Sequence, residues 1–145
     1  MILKIFSVVG FLVMVGGMVA LIVTHALFSP FLPAIAAQVG AFALMLWARR
    51  TFGGRSFHLS ADPTDGGLVT TGPYRFVRHP IYTAVCIFAW AAWLGSPSIR
   101  TAVFAGLVTI GAVIRIICEE HLLVRRYPEY ADYRRTTKRM IPFIF

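Results

Sequence analysis

The sequence predicts an all-α, multi-pass integral membrane protein with about four transmembrane helices, a cytosolic loop and a C-terminal amphipathic helix. Three observations lead there. Hydrophobic residues make up 58% of the 145 residues and charged ones 14%, with a mean hydropathy of +0.74, whereas soluble domains carry about 25% charged residues. The apolar residues fall into four long runs divided by turn signals. The basic residues border those runs, and with four crossings every one except Arg100 falls on the same side. A chain of this length suits one domain, with 1–50 as an N-terminal helical hairpin, 51–79 as a loop, and 80–145 as a second hairpin plus a C-terminal part.

The first run extends from Ile5 to about Phe28, interrupted by Ser7, Thr24 and His25. At 1.5 Å per residue it crosses a hydrocarbon core of ~30 Å with some tilt. It is too long for the apolar region of a signal peptide, and a second apolar run follows, so it reads as a span. Gly10, Gly16 and Gly17 offer a face for close approach of another helix. The second run, Phe31 to Ala48, contains one amide, Gln38, and stops at Arg49-Arg50. Gln38 is expected to hydrogen-bond a neighbouring helix.

Thr51 to Arg78 is the long polar stretch, with turn signals at Gly53-Gly54, Asp62-Pro63, Asp65-Gly66-Gly67 and Gly72-Pro73. Its glycines match neither a P-loop nor a dinucleotide fingerprint. The third run, Ile81 to Leu94, is short and ends at Gly95-Ser96-Pro97. It is expected to tilt, thin the bilayer or pack behind the other helices. The fourth runs from Ile99 to Cys118 with Arg115 near its end. Beyond Glu119-Glu120, Leu122, Leu123, Tyr127, Tyr130 and Tyr133 alternate with Arg125, Arg126, Arg134, Arg135, Lys138 and Arg139. That is a basic amphipathic segment suited to anionic lipid headgroups, and the apolar tail 141–145 is expected to pack back or dip into the interface.

The charge asymmetry places both termini and the 51–79 loop in the cytosol. The net charge of +8 does not indicate nucleic-acid binding, because the cations border apolar spans and form no separate basic module. Cys86 and Cys118 lie in apolar runs without CxxC spacing, so they read as packing residues, and no metal site is expected.

The chemistry gathers in two places. In Thr71–Tyr82, Gly72-Pro73 makes a turn and Pro80 suits the first turn of a helix. His79 then precedes a helix N-terminus, with Arg75 and Arg78 close by, an arrangement suited to an anionic group. On the fourth run, Arg115 and Glu119 are four apart and can pair, while Glu120 points about 100° away to another partner. Charges at the edge of hydrocarbon imply function, and the topology puts both places at one face. Together they suit a zwitterionic, positively charged molecule such as S-adenosylmethionine; an amino-acid or headgroup ligand matches equally well.

The stretch Leu68–Tyr82 closely resembles the signature of integral-membrane methyltransferases of the isoprenylcysteine carboxyl methyltransferase and phospholipid methyltransferase superfamily. In that family GxYxxxRHPxYxG precedes a helical hairpin, then RxxxEExxL, YxxY and a late proline. Here Gly72, Tyr74, Arg78, His79, Pro80 and Tyr82 are followed by Arg115, Glu119, Glu120 and Leu123, then Tyr130, Tyr133 and Pro142. Ala84 stands where the family has glycine. The resemblance implies S-adenosylmethionine held by Tyr74, Arg78, His79, Pro80, Tyr82, Glu119 and Glu120, in a cleft closed by the C-terminal part. It implies catalytic roles for Arg115, which orients the methyl acceptor, and for Glu119, with a lipophilic acceptor entering from lipid.

The expected activity is most like isoprenylcysteine carboxyl O-methylation, with phospholipid ethanolamine N-methylation as the alternative; a small thiol or another lipid is a further acceptor. Two other readings compete. Membrane sterol reductases of related architecture bind NADPH and share an Arg-His-Pro-like motif, but their second motif resembles Arg-Asp-Glu with a following Cys, against Glu119-Glu120-His121 here. A non-catalytic membrane scaffold is the third reading.

Overall fold

The computed structural model describes residues 2–53 and 67–141. These form five α-helices: α1 (Ile2–Val23), α2 (Leu32–Phe52), α3 (Pro80–Gly95), α4 (Ile99–Arg126) and α5 (Tyr130–Thr136), with a 3-10 turn at Gly72–Arg75. β pairing among the described residues is limited to a parallel bridge between Val77 and Lys138. Arg55, the turn signals between 54 and 66, and the tail from Pro142 onward lie outside the described residues.

The helices α1, α2 and α4 are long and apolar enough to cross a membrane. At 1.5 Å per residue, the 16 residues of α3 reach about 24 Å, short of a ~30 Å hydrocarbon core. The 28 residues of α4 reach about 42 Å, so its last turns project beyond the apolar layer and carry Glu119 and Glu120 to its edge. Large apolar side chains such as Leu12, Val39, Phe42 and Ile110 point outward, as lipid-facing residues do.

The packing order differs from the chain order. α1 lies chiefly against α4, α2 against α3, and α3 against α4, so the helices form a row in which α4 and α3 are central. Small residues explain the α1–α4 pairing. A side-chain carbon at Gly111 would lie 2.5 Å from the Gly10 carbonyl oxygen and 2.6 Å from the Met14 nitrogen, and one at Gly17 would lie 2.8 Å from the Phe104 carbonyl oxygen. Only glycine permits backbones this close. Gly16, expected to share that face, has nothing within 4 Å. Leu21, Ala89, Ala92, Ala105 and Val108 form the core where α1, α3 and α4 meet. A second core of Cys86, Ala112, Ile116 and Met140, with Tyr82 and Met14 against it, lies beneath the polar end.

Local chemistry fixes the ends. α1 stops with His25 at φ 52° and the bonds His25 N to Ile22 O and Ala26 N to Leu21 O, the paired pattern of a Schellman cap. Gln38 donates to Leu27 O at 2.6 Å, a carbonyl of the α1–α2 connection and not of a neighbouring helix as expected. Ser98 and Thr101 form a reciprocal capping box at the start of α4. The basic amphipathic segment is split: α4 continues to Arg126 and stops before Pro128, and a separate seven-residue α5 follows. Proline lacks the N–H and clashes with the preceding turn, which accounts for the break.

Candidate active site

α3 begins at Pro80 with His79 at its N-cap, as the sequence predicts. The His79 side chain makes no capping bond. Its ring turns instead towards α4, with Nδ1 3.7 Å from Glu119 Oε2 and Nε2 3.4 Å from Glu120 Oε1. The N–H groups of Arg78 and His79 donate to the carbonyls of Lys138 and Arg139 at 2.7 and 2.9 Å. These bonds lay a strap, residues 137–141, beside the α3 entry. Thr83 fastens it further, its hydroxyl donating to Met140 O at 3.0 Å.

The two glutamates divide their partners by helical angle. Glu120 faces the strap side. Arg78 reaches its Oε1 with Nε at 2.9 Å and Nη2 at 2.8 Å, and Arg139 Nε donates to its Oε2 at 3.0 Å. Arg78 also donates through Nη1 to the carbonyls of Arg134 and Thr137, so one guanidinium joins the segment leading into α3 to α4, α5 and the strap. Glu119 faces α3. Its Oε1 accepts from the Tyr82 hydroxyl and from Arg115 Nη2 at 3.3 Å, while Arg115 Nε donates to the same Tyr82 oxygen at 2.7 Å. Tyr82, Arg115 and Glu119 therefore close a three-membered ring of hydrogen bonds.

Arg115 is 4% exposed, and a cation at that depth needs partners. Beyond Tyr82 and Glu119, α1 supplies them: Ser7 O accepts from Nη1 at 3.5 Å, and the Phe11 ring centroid lies 5.2 Å from the guanidinium carbon, within cation–π range.

Tyr74, in the 3-10 turn, is buried against Phe52 at 5.6 Å between ring centroids. Burial, then the neighbouring Tyr133 and the Glu119 carboxylate, hold its hydroxyl pKa above the ordinary tyrosine range. Tyr133 donates to Tyr74 O at 2.5 Å, and burial pushes its own pKa up to about 12. Tyr130 is 1% exposed, and its hydroxyl, beside Glu120 and Arg78, meets no hydrogen-bond partner among the described residues.

Every residue singled out from the sequence as catalytic or cofactor-binding lies at this one end of the row: Tyr74, Arg78, His79, Pro80, Tyr82, Arg115, Glu119 and Glu120. Sequence reasoning missed Arg139, Thr83, Ser7 and Phe11. Arg139 sits in a run of cations and Phe11 in the apolar stretch between Ser7 and Thr24, so neither carries a distinguishing local signal; Thr83, polar within an apolar helix, does.

A profile of the phospholipid methyltransferase family matches residues 31–130. The nickel-cobalt-cadmium resistance protein NccN of Alcaligenes xylosoxydans xylosoxydans is 45% identical over 52% of this chain and 36% of its own length. The cobalt-zinc-cadmium resistance protein CzcN of Cupriavidus metallidurans is 37% identical over 52% of this chain and 35% of its own. A methanethiol S-methyltransferase of Crocosphaera subtropica is 36% identical over 49% of this chain and 28% of its own. The chain thus spans little more than a third of these relatives, or less. No solved structure matches it. Among the described residues, no three His, Cys, Asp or Glu side chains cluster as a metal site requires.

Proposed function

The chain belongs to the phospholipid methyltransferase family, and on that premise we propose that it transfers the methyl group of S-adenosylmethionine to an acceptor reaching the site from the bilayer. The observation that carries this reading is the meeting of Arg78 and His79 with Glu119 and Glu120 between the polar ends of α3 and α4. The residues fit a zwitterionic cation. Glu119 offers a carboxylate to an ammonium, the rings of Tyr74 and Tyr82 offer π faces to a sulfonium, and the buried Tyr130 hydroxyl, beside Arg78, offers a donor to a carboxylate alongside Arg78 and His79. When bound, S-adenosylmethionine supplies an electrophilic methyl on a positively charged sulfur. The protein's contribution is orientation and electrostatics.

Arg115 orients the acceptor on this reading. It does so with its guanidinium already engaged by Tyr82 and Glu119, hence through the groups it holds. Three acceptor classes compete: a prenylcysteine-type carboxylate, which the signature most resembles; a phosphatidylethanolamine-type amine, in keeping with the family name; and a small thiol, as in the name of the methanethiol S-methyltransferase relative. The charge asymmetry supports an orientation with both termini and the 51–79 loop in the cytosol.

Equilibrium binding of S-adenosylhomocysteine and of NADPH to the purified full chain tests the donor. Saturable S-adenosylhomocysteine binding is expected; NADPH binding in its place supports the reductase reading, and binding of neither supports a scaffold. Membranes containing the chain, supplied with methyl-labelled donor, then identify the product. Base-labile label marks an ester, and stable label marks an amine or thioether.

A further inference from the structure

α5 and the strap have two sides of different character. Inward, Tyr130 and Thr137 are buried, Tyr133 donates to Tyr74 O, and the carbonyls of Lys138, Arg139 and Met140 accept from Arg78, His79 and Thr83. Outward, Arg134, Arg135 and Lys138 are exposed. The acid nearest to them is Asp132, 4.0 Å from Arg135, with side chains 88% and 82% exposed respectively, a surface pair too loose to neutralise the patch. From Tyr130 to Arg139 the chain carries four cations and that one acid. Arg134 joins the two sides in a single residue, because its carbonyl accepts from Arg78 Nη1 at 3.1 Å while its side chain is exposed. α5 has seven residues and no side-chain cap, so its place depends on contacts to either side and not on its own helical stability.

Neighbouring aromatics mark the level of the strap. Val77 is bridged to Lys138, and Phe76 beside it is 49% exposed, its ring 6.5 Å from that of Trp47, itself 48% exposed. Arg75 lies over Phe76 at 4.9 Å. A half-exposed tryptophan at the end of an apolar helix, followed by Arg49-Arg50, belongs at headgroup depth. Arg125, by contrast, is six residues past Glu119 on α4, about 9 Å further along the helix. That is about one Debye length at physiological ionic strength.

We infer that Arg134, Arg135 and Lys138 bind the anionic phospholipid headgroups of the leaflet at this end, and that the contact holds α5 and the strap against the entry of α3. Charge complementarity selects the occupant: a cationic patch at headgroup depth meets a negative surface, and on the proposed orientation that surface is the cytosolic leaflet. Lipid composition thereby sets how tightly the polar end of the bundle is closed. The inference goes beyond the methyl-transfer reading and does not rest on it, since no donor or acceptor enters its test.

The test places the full chain in nanodiscs of phosphatidylcholine alone or of phosphatidylcholine with an equal part of phosphatidylglycerol. Hydrogen-exchange mass spectrometry reads the peptide containing Arg78 and His79, whose amides bond to the strap. Phosphatidylglycerol should slow their exchange by about tenfold, the order expected of a few cations near an anionic surface, and added salt should reverse the effect. Amides in the middle of α4 should not respond. The triple variant Arg134→Gln, Arg135→Gln, Lys138→Gln should lose the response to phosphatidylglycerol while exchanging like wild type in phosphatidylcholine, which separates a lost lipid contact from a damaged fold. Arg125→Gln should keep most of the response. Equal exchange of wild type in the two lipids overturns the inference. So does a response that Arg125→Gln abolishes as fully as the triple variant. Protection produced by inorganic phosphate in the neutral discs also overturns it, because the cations would then serve soluble anions.

Discussion

Arg139 Nε reaches Glu120 Oε2 at 3.0 Å, so the strap is held by a side chain as well as by its own carbonyls. Arg139 is 40% exposed, which limits the pair to about 1 kcal/mol. Arg139→Ala should raise hydrogen exchange at the Arg78 and His79 amides, whose acceptors lie on the strap, by roughly fivefold. Amides in the middle of α4 should not change. Hydrogen-exchange mass spectrometry reads both regions in one experiment.

Arg78 is a different case, because its side chain is 8% exposed and faces a Glu120 that is 13% exposed. Arg78→Ala leaves that carboxylate short of its main partner and also releases the carbonyls of Arg134 and Thr137. The expected cost is about 3 kcal/mol, typical of breaking one side of a buried pair. Thermal unfolding in detergent should show it, with Arg78→Lys recovering only part, since an ammonium cannot reproduce the forked contact.

The α1–α4 seam makes a prediction independent of any activity. Gly111→Leu should cost about 1–3 kcal/mol by forcing the two backbones apart, because the space beyond Gly111 is filled by Gly10 and Met14. Gly16→Leu on the same helix pair should be nearly neutral, since nothing lies within 4 Å of that position. Equal effects at the two sites would contradict the packing.

Tyr133 links α5 to the 3-10 turn through its bond to Tyr74 O, worth about 0.5–1.5 kcal/mol. Burial pushes its pKa up to about 12, above the ordinary value of about 10. A group whose folded pKa is raised stabilises fully below the unfolded pKa and loses that contribution as pH climbs through the folded one. The stability gap between wild type and Tyr133→Phe should therefore be constant up to about pH 10 and narrow as pH rises towards 12. Denaturant titrations at a series of pH values would check this.

Much of this arrangement was legible in the sequence because it depends on short-range spacing. Arg115 and Glu119 pair as residues four apart on a helix do, and Pro80 starts its helix where its missing N–H is harmless. Glu120 was read as facing elsewhere, but its partner Arg139 is one cation among many in a tail whose composition alone suggests lipid contact. The α1–α4 pairing was illegible for another reason. Glycines tell that some backbone comes close, but not which one, and not that Gly17 serves while Gly16 does not. Gln38 is expected from the sequence to bond a neighbouring helix, yet the carbonyl it reaches belongs to the α1–α2 connection, which follows the cap at His25. Pro128 divides a segment whose charge and aromatic pattern reads as one piece.

The contacts from α1 to Arg115 have a consequence for how the protein is built. Ser7 and Arg115 are 108 positions apart, and α1 lies outside the stretch 31–130 that carries the family match. Synthesis delivers the N-terminal helix first, so the carbonyl and ring that receive this guanidinium are already in place when the last long helix arrives. The charge is buried only as the final pairing closes, and the Tyr82–Arg115–Glu119 ring is completed in that same event. Formation of the site is thus tied to completion of the bundle, and a chain arrested before α4 docks on α1 would carry every motif residue without a formed site.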